Sequence, residues 1–259
     1  MLKTRNKKAQ IAIWVILALV LAGGIILFFT LERGPIPGAG AVVFKPEQYI
    51  EKCTETAVNG AVDLLLPHGG FLEPKNFKVY NDTNISYLCL HSGYFRPCTN
   101  QHPMLVNEVS DEIKSYISPR IESCFGNLKN EIEKRAGVIE LSAAPTEFNV
   151  SMAPGKVFVN IAKNVKITEK ETTRTFEKFD VEVANPIYDF TNVALDIVNS
   201  EAKYCTFLYV GYMLSYPRWD VRIFVMSDST KIYTIKDKES GKKMNIAIRG
   251  CAMPPGMGI

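Results

Sequence analysis

The chain has 259 residues, 47% hydrophobic and 22% charged, with 30 Lys and Arg against 27 Asp and Glu. Five of those basic residues and one acidic residue precede Gly34, so the remaining 25 basic and 26 acidic residues nearly cancel. A nucleic-acid binder gathers a basic excess on one face, which this balance excludes, and the hydrophobic share excludes a disordered chain.

Lys3, Arg5, Lys7 and Lys8 stand directly before an uncharged apolar run over 11–31. A helix of that length rises roughly 30 Å, the hydrocarbon thickness of a bilayer, and satisfies its own backbone there. The pattern predicts a cytoplasmic basic head at 1–10, a single N-terminal transmembrane helix at 11–31, and an extracellular C-terminal domain, since positive flanks stay in the cytoplasm. The apolar core is longer than that of a cleaved secretory signal and runs into Phe28-Phe29-Thr30-Leu31 without a small-residue cleavage site. A linker over 32–45 follows, in which Gly34-Pro35-Ile36-Pro37-Gly38 cannot continue a helix.

From Pro46, Tyr49, Ile50, Cys53, Ala57, Ala61, Val62 and Leu65 recur at helical spacing until Pro67-His68-Gly69-Gly70. Phe77 to Tyr80 and Ile85 to Leu88 read as two short strands about the Asn81 to Asn84 turn. Val106, Val109, Ile113, Ile117, Ile121, Cys124, Leu128 and Ile132 define a second helix, which Pro119 is expected to kink or divide. These elements make 46–136 the helical part of the outer domain. Over 137–259 the period changes to two, and Phe148 to Val150, Val157 to Ile161, Val165 to Ile167 and Phe179 to Val183 read as successive antiparallel strands. A third helix is expected from about Pro186 to Tyr212 with Cys205 and Leu208 inward, then strands at Val221 to Val225, Ile232 to Ile235 and Met244 to Ile248. The expected class is α+β, about three helices and an antiparallel sheet after the membrane helix.

Cys53, Cys89, Cys98, Cys124, Cys205 and Cys251 all follow the apolar run, which predicts disulfides in an oxidising compartment; six cysteines allow 15 pairings. Cys53 and Cys124 lie on the apolar stripes of their helices, Cys89 and Cys98 are near enough to close a hairpin-sized loop, and Cys205 with Cys251 would tie the third helix to the last strand. Asn81, Asn84 and Asn149 head glycosylation sequons.

Catalytic signals are absent from the sequence. Cys89, His91, Cys98 and His102 form a metal-like group, but the spacing matches no common zinc pattern and the compartment favours a disulfide. His68, His91 and His102 sit in no nucleophile elbow or metalloprotease helix. Asp189, Asp196 and Glu201 on the third helix, and Asp180 and Glu182 on one strand face, read as solvated carboxylates; the mixed-sign run from Lys166 to Lys178 reads as an exposed hairpin. No catalytic residue, metal ligand or cofactor is assigned. The segment from Ala252 to Ile259, with Pro254-Pro255, reads as a frayed end or as an extended segment suited to a partner's groove.

Lys7-Lys8-Ala9-Gln10 ahead of the apolar run resembles the class III signal of archaeal type IV pilin-like proteins. The resemblance covers about 25 residues and implies cleavage between Ala9 and Gln10, with the apolar helix kept on the mature protein. The fifth position after that cut is Trp14, where assembling members carry Glu. The layout as a whole also resembles uncharacterised membrane-anchored archaeal surface proteins. The expected function is that of a non-catalytic membrane-anchored cell-surface protein in envelope structure, surface assembly or adhesion, with the membrane and other surface proteins as partners and no nucleic acid. A membrane-tethered extracytoplasmic hydrolase and a type IV pilin-like subunit are the alternatives.

Overall fold

A computed structural model describes residues 17, 19–25, 27, 28, 44–135, 137–169 and 171–254. They belong to two units, Met1–Lys45 and Pro46–Ile259. In the first, residues 17, 19–25, 27 and 28 are helical. Among the described residues no helix is long and apolar enough to cross a membrane, which corrects the expected span. The basic head, the Ala9–Gln10 junction, the rest of the 11–31 run and the linker up to residue 43 lie outside the described residues.

The second unit opens with α1 (Pro46–Leu65), whose first turn tolerates proline because its N–H groups have no intrahelical acceptor. Ile50, Thr54, Ala57, Val58, Ala61, Val62 and Leu65 form its buried stripe. A 3-10 turn ends on Gly69 and Gly70, both at positive φ; a Cβ on Gly70 would lie 2.7 Å from Val109 Cγ2, so only glycine lets the chain pass there undisturbed. β1 (Phe77–Tyr80) and β2 (Thr83–Leu90) are joined by Asn81-Asp82, at φ 48° and 59°, the backbone of a two-residue type I′ hairpin. After β3 (Thr99–Asn100) comes α2 (Leu105–Lys134), a single helix and not two. Its buried stripe of Ile113, Ile117, Ile121, Cys124 and Leu128 lies away from Pro119, which is exposed, so the carbonyl that loses its partner faces water.

Four strands follow: β4 (Val138–Leu141), β5 (Glu147–Ala153), β6 (Lys156–Glu169) and β7 (Thr172–Ala184). The separate strands expected at 157–161 and 165–167 are one strand, β6, which passes through an irregularity between Ala162 and Val165 where its register against β7 shifts. β7 pairs along one edge of β6, while β5 and β4 share the other. α3 (Ile187–Tyr204) ends where Cys205 adopts the left-handed conformation (φ 59°) with its N–H bonded to the Glu201 carbonyl. The expected continuation to Tyr212 is replaced by a separate short helix, α4 (Tyr209–Ser215). β8 (Trp219–Val225), β9 (Lys231–Asp237) and β10 (Lys243–Arg249) close the order of elements.

The expected α+β class with its segregated meander is also corrected. Among the described residues the second unit is a mixed α/β arrangement with two sheets, because β10 pairs in parallel with β2 and so joins the early hairpin to the late strands in the order β1-β2-β10-β9-β8. α1 packs on β7 and α2 on β4 and β5, while α3 touches β2, β9 and β10 on one side and β5 and β6 on the other.

Two ionic networks tie α3 to the first sheet. Glu201 has a fully buried side chain and receives Lys231 Nζ at 2.7 and 2.8 Å; the same ammonium reaches the Cys205 carbonyl at 2.6 Å, and the Tyr233 hydroxyl donates to Glu201. Arg218 grips Asp237 with two parallel bonds of 3.0 Å and donates a third, also of 3.0 Å, to Asp189. Burial alone would raise the Asp237 carboxyl, but bonds from Arg218, Ser240 and the Glu239 N–H outweigh it and hold the pKa at about 2.

Candidate functional site

The exposed apolar surface is concentrated after α3. Tyr204, Leu208, Tyr212 and Tyr216 recur every four residues, yet the break at Cys205 turns them outward: Leu208 is 77% exposed and no residue of α4 is buried. The expectation that Leu208 packs inward is therefore wrong. Together with Phe207, Gly211 and Ser215 they line an apolar groove of about 760 Å³.

The groove is firmly held. The Cys205–Cys251 disulfide, with Cα atoms 5.8 Å apart, anchors one end of the segment to the strand following β10. Phe207 is buried, edge-on to Tyr233 at 6.3 Å, and makes a tilted ring contact at 5.2 Å with Tyr212, which in turn meets Tyr216 at 4.7 Å. Met213 Sδ accepts the Val221 N–H at 3.2 Å, and the Tyr212 hydroxyl donates to Asp196 at 3.1 Å. Partial burial, reinforced by the Asp196 charge, raises the Tyr212 pKa, so the phenol stays a donor at neutral pH. An aromatic surface with few polar groups suits non-covalent docking.

The histidines lie elsewhere. His102 Nδ1 meets Glu108 Oε2 at 2.5 Å, and its ring makes a tilted contact with Phe71 at 4.5 Å, in a cleft of about 380 Å³ that also holds Ser86, Asp111 and Glu112. Glu112 accepts the Leu72 N–H at 3.0 Å. His91 Nδ1 accepts the Gly93 N–H at 3.0 Å, and His68 donates to the Asn84 carbonyl at 2.7 Å.

All six cysteines are paired, Cys53 with Cys124, Cys89 with Cys98 and Cys205 with Cys251, so the thiols of the metal-like group are consumed. Among the described residues no cluster of His, Cys, Asp or Glu is placed to hold a metal ion. The carboxylates of α3 are not brought together: Asp189 meets Arg218, Asp196 meets Tyr212 and Glu201 meets Lys231. Asp180 accepts from Asn160 and Glu182 pairs with Lys156 on the outer face of β6 and β7. Asn81, Asn84 and Asn149 are all exposed.

Compared with known protein families, characterised proteins and solved structures, the chain matches none. Sequence reasoning missed the groove because it extended α3 through it. The available signal was composition: from Phe207 to Leu214 apolar side chains stand on every side, more than one helix face can bury.

Proposed function

We propose that the protein acts without catalysis at the outer side of a membrane, as a surface protein whose domain docks onto other surface components. The observation that carries this reading is the aromatic groove of Tyr204, Phe207, Leu208, Tyr212 and Tyr216, since a rigid apolar surface left open to water marks an interaction site. Three disulfides agree with export to an oxidising compartment, and the exposed sequon asparagines are open to glycan attachment there. The basic head and apolar run at the start of the chain support retention at a membrane. The pilin-like reading rests on Ala9 and Gln10, and N-terminal sequencing of the mature protein is expected to begin at Gln10 if that signal is used.

A photo-crosslinking side chain at Leu214, which is 81% exposed, tests the docking reading in cells producing the full chain. A discrete adduct is expected there and none from the same probe at Lys178, on the exposed face of β7. Identical adduct patterns at both positions would overturn it. The hydrolase reading has one observation in its favour, the His102–Glu108 pair in a cleft with Ser86. Turnover of an ester, peptide or glycoside substrate that His102→Ala abolishes would replace the non-catalytic reading with that one.

A further inference from the structure

The first sheet is strongly curled. Its outermost strands meet: Tyr80 on β1 lies against Phe224 on β8 with ring centroids 5.2 Å apart, and Lys78 Nζ reaches Asp228 at 2.5 Å. The face away from the helices is therefore a cup. Cross-strand register orders the residues of this face row by row. At the closed end Phe224, Ile232, Ala247 and Tyr87 stand side by side, with Ile85, Tyr87, Ile232 and Ala247 forming a small buried core. The middle row is Arg222, Thr234 and Asn245, and the open row is Asp220, Lys236 and Lys243.

The open end carries more cations than anions. Lys236 and Lys243 are direct partners across the β9–β10 ladder, an arrangement that repulsion between like charges disfavours. Asp220 is the one carboxylate among the residues lining this cavity, and it is engaged by Arg222 at 3.1 Å, so the three cations exceed the anions by two. The Arg222 side chain is nevertheless 79% exposed, leaving its remaining N–H groups free to turn to a ligand. The enclosed space is about 350 Å³, at the lower end of the ~300–1,000 Å³ range of small-molecule sites.

We infer that this cup binds an acidic sugar unit of an anionic polysaccharide. Lys236, Lys243 and Arg222 would take the carboxylate, as charge-assisted bonds do. Tyr80 and Phe224 offer aromatic surface to the apolar C–H side of a pyranose ring, and Thr234, whose hydroxyl donates to Asn245 at 2.8 Å, offers its oxygen as an acceptor to a sugar hydroxyl. A simple inorganic anion would engage only the cationic end, and a neutral sugar would leave the cross-strand lysines unused. The cup shares no lining residue with the aromatic groove, so the two sites stand or fall separately.

The test is calorimetric titration of the purified full-length chain with an oligogalacturonate, a neutral oligosaccharide of matching length, inorganic phosphate and vesicles containing anionic lipid. Saturable binding of the oligogalacturonate is expected, weakened at least about tenfold by Lys236→Glu or Lys243→Glu, since each reversal sets a carboxylate against that of the ligand. Lys178→Glu on the other sheet should change nothing. Phe224→Ala, at a half-exposed position, should weaken the sugar and leave any phosphate binding unchanged, which separates stacking from charge. Lys243→Gln serves as a second variant where charge reversal disturbs folding, and melting curves confirm the fold of each. The inference is overturned if the oligogalacturonate does not bind, if the neutral sugar binds equally, if the lysine variants bind as well as the parent, or if only the anionic vesicles bind.

Discussion

The two sheets treat their outer faces differently. The β4–β7 sheet buries one face under α1 and α2 and gives the other to water, where Lys156 with Glu182 at 2.5 Å and Lys166 with Glu140 at 3.2 Å decorate it. The β1-β2-β10-β9-β8 sheet curls, encloses a second small core on its outer face and carries fully buried charge on its inner one. Two of the three disulfides meet at one corner of it, where a Cβ on Gly250 would lie 2.9 Å from Cys98 Cβ and Cys251 reaches back to Cys205. A sheet with one wet face acts as a wall, whereas curling creates concave surface and demands stronger fastening.

The comparison breaks first at Lys231. Lys231→Ala leaves the Glu201 carboxylate buried without its cation and should lower unfolding free energy by about 3–5 kcal/mol in urea titration. A loss no larger than that of a surface substitution would show that the curled sheet needs no such pair.

Next is the helix layer over the β4–β7 sheet. Cys53 and Cys124 close a 71-residue separation with Cα atoms 6.0 Å apart, a cross-link worth on the order of 4 kcal/mol in the chain-entropy model. Cys53→Ala, Cys124→Ala and the double variant should melt at nearly the same lowered temperature, because one bond is lost in all three. Additive losses would contradict the pairing.

Acid should then separate the sheets. The Asp237 pKa is about 2 in the fold against 3.8 as the ordinary value, so its contribution is present above about pH 4 and is lost as the pH falls toward 2. Chemical denaturation across that window should show a decline of on the order of 2 kcal/mol that Asp237→Asn, though less stable at neutral pH, largely lacks. An unchanged pH profile in the variant would remove Arg218 and Asp237 from the fastening of the curled sheet.

The smallest effect belongs to the wet face of the β4–β7 sheet. Lys156→Ala should cost under about 1 kcal/mol, since both partners of its pair are about half exposed. A loss approaching that of Lys231→Ala would erase the contrast between the sheets.

Local pattern carried what depends on neighbours in sequence. The 3.6-residue stripe of α1 and the breakers Pro67 to Gly70 set that helix, Asn81-Asp82 set the first hairpin, and alternation set β8 to β10. The stripes also placed Cys53 and Cys124 on inward faces, which is why their pairing was readable. Tertiary structure alone decided the rest. The parallel pairing of β2 with β10 joins residues some 160 positions apart, and nothing local encodes a strand's partner. The left-handed turn at Cys205 stopped α3 and exposed the aromatic groove, against a four-residue spacing that reads as a continuing inward helix. Lys236, Thr234 and Ile232 could be assigned to one face from alternation, but that this face is concave follows only from Tyr80 meeting Phe224 across the sheet. Periodicity records which side of an element is buried; which element buries it, and with what curvature, is settled when distant segments close upon one another.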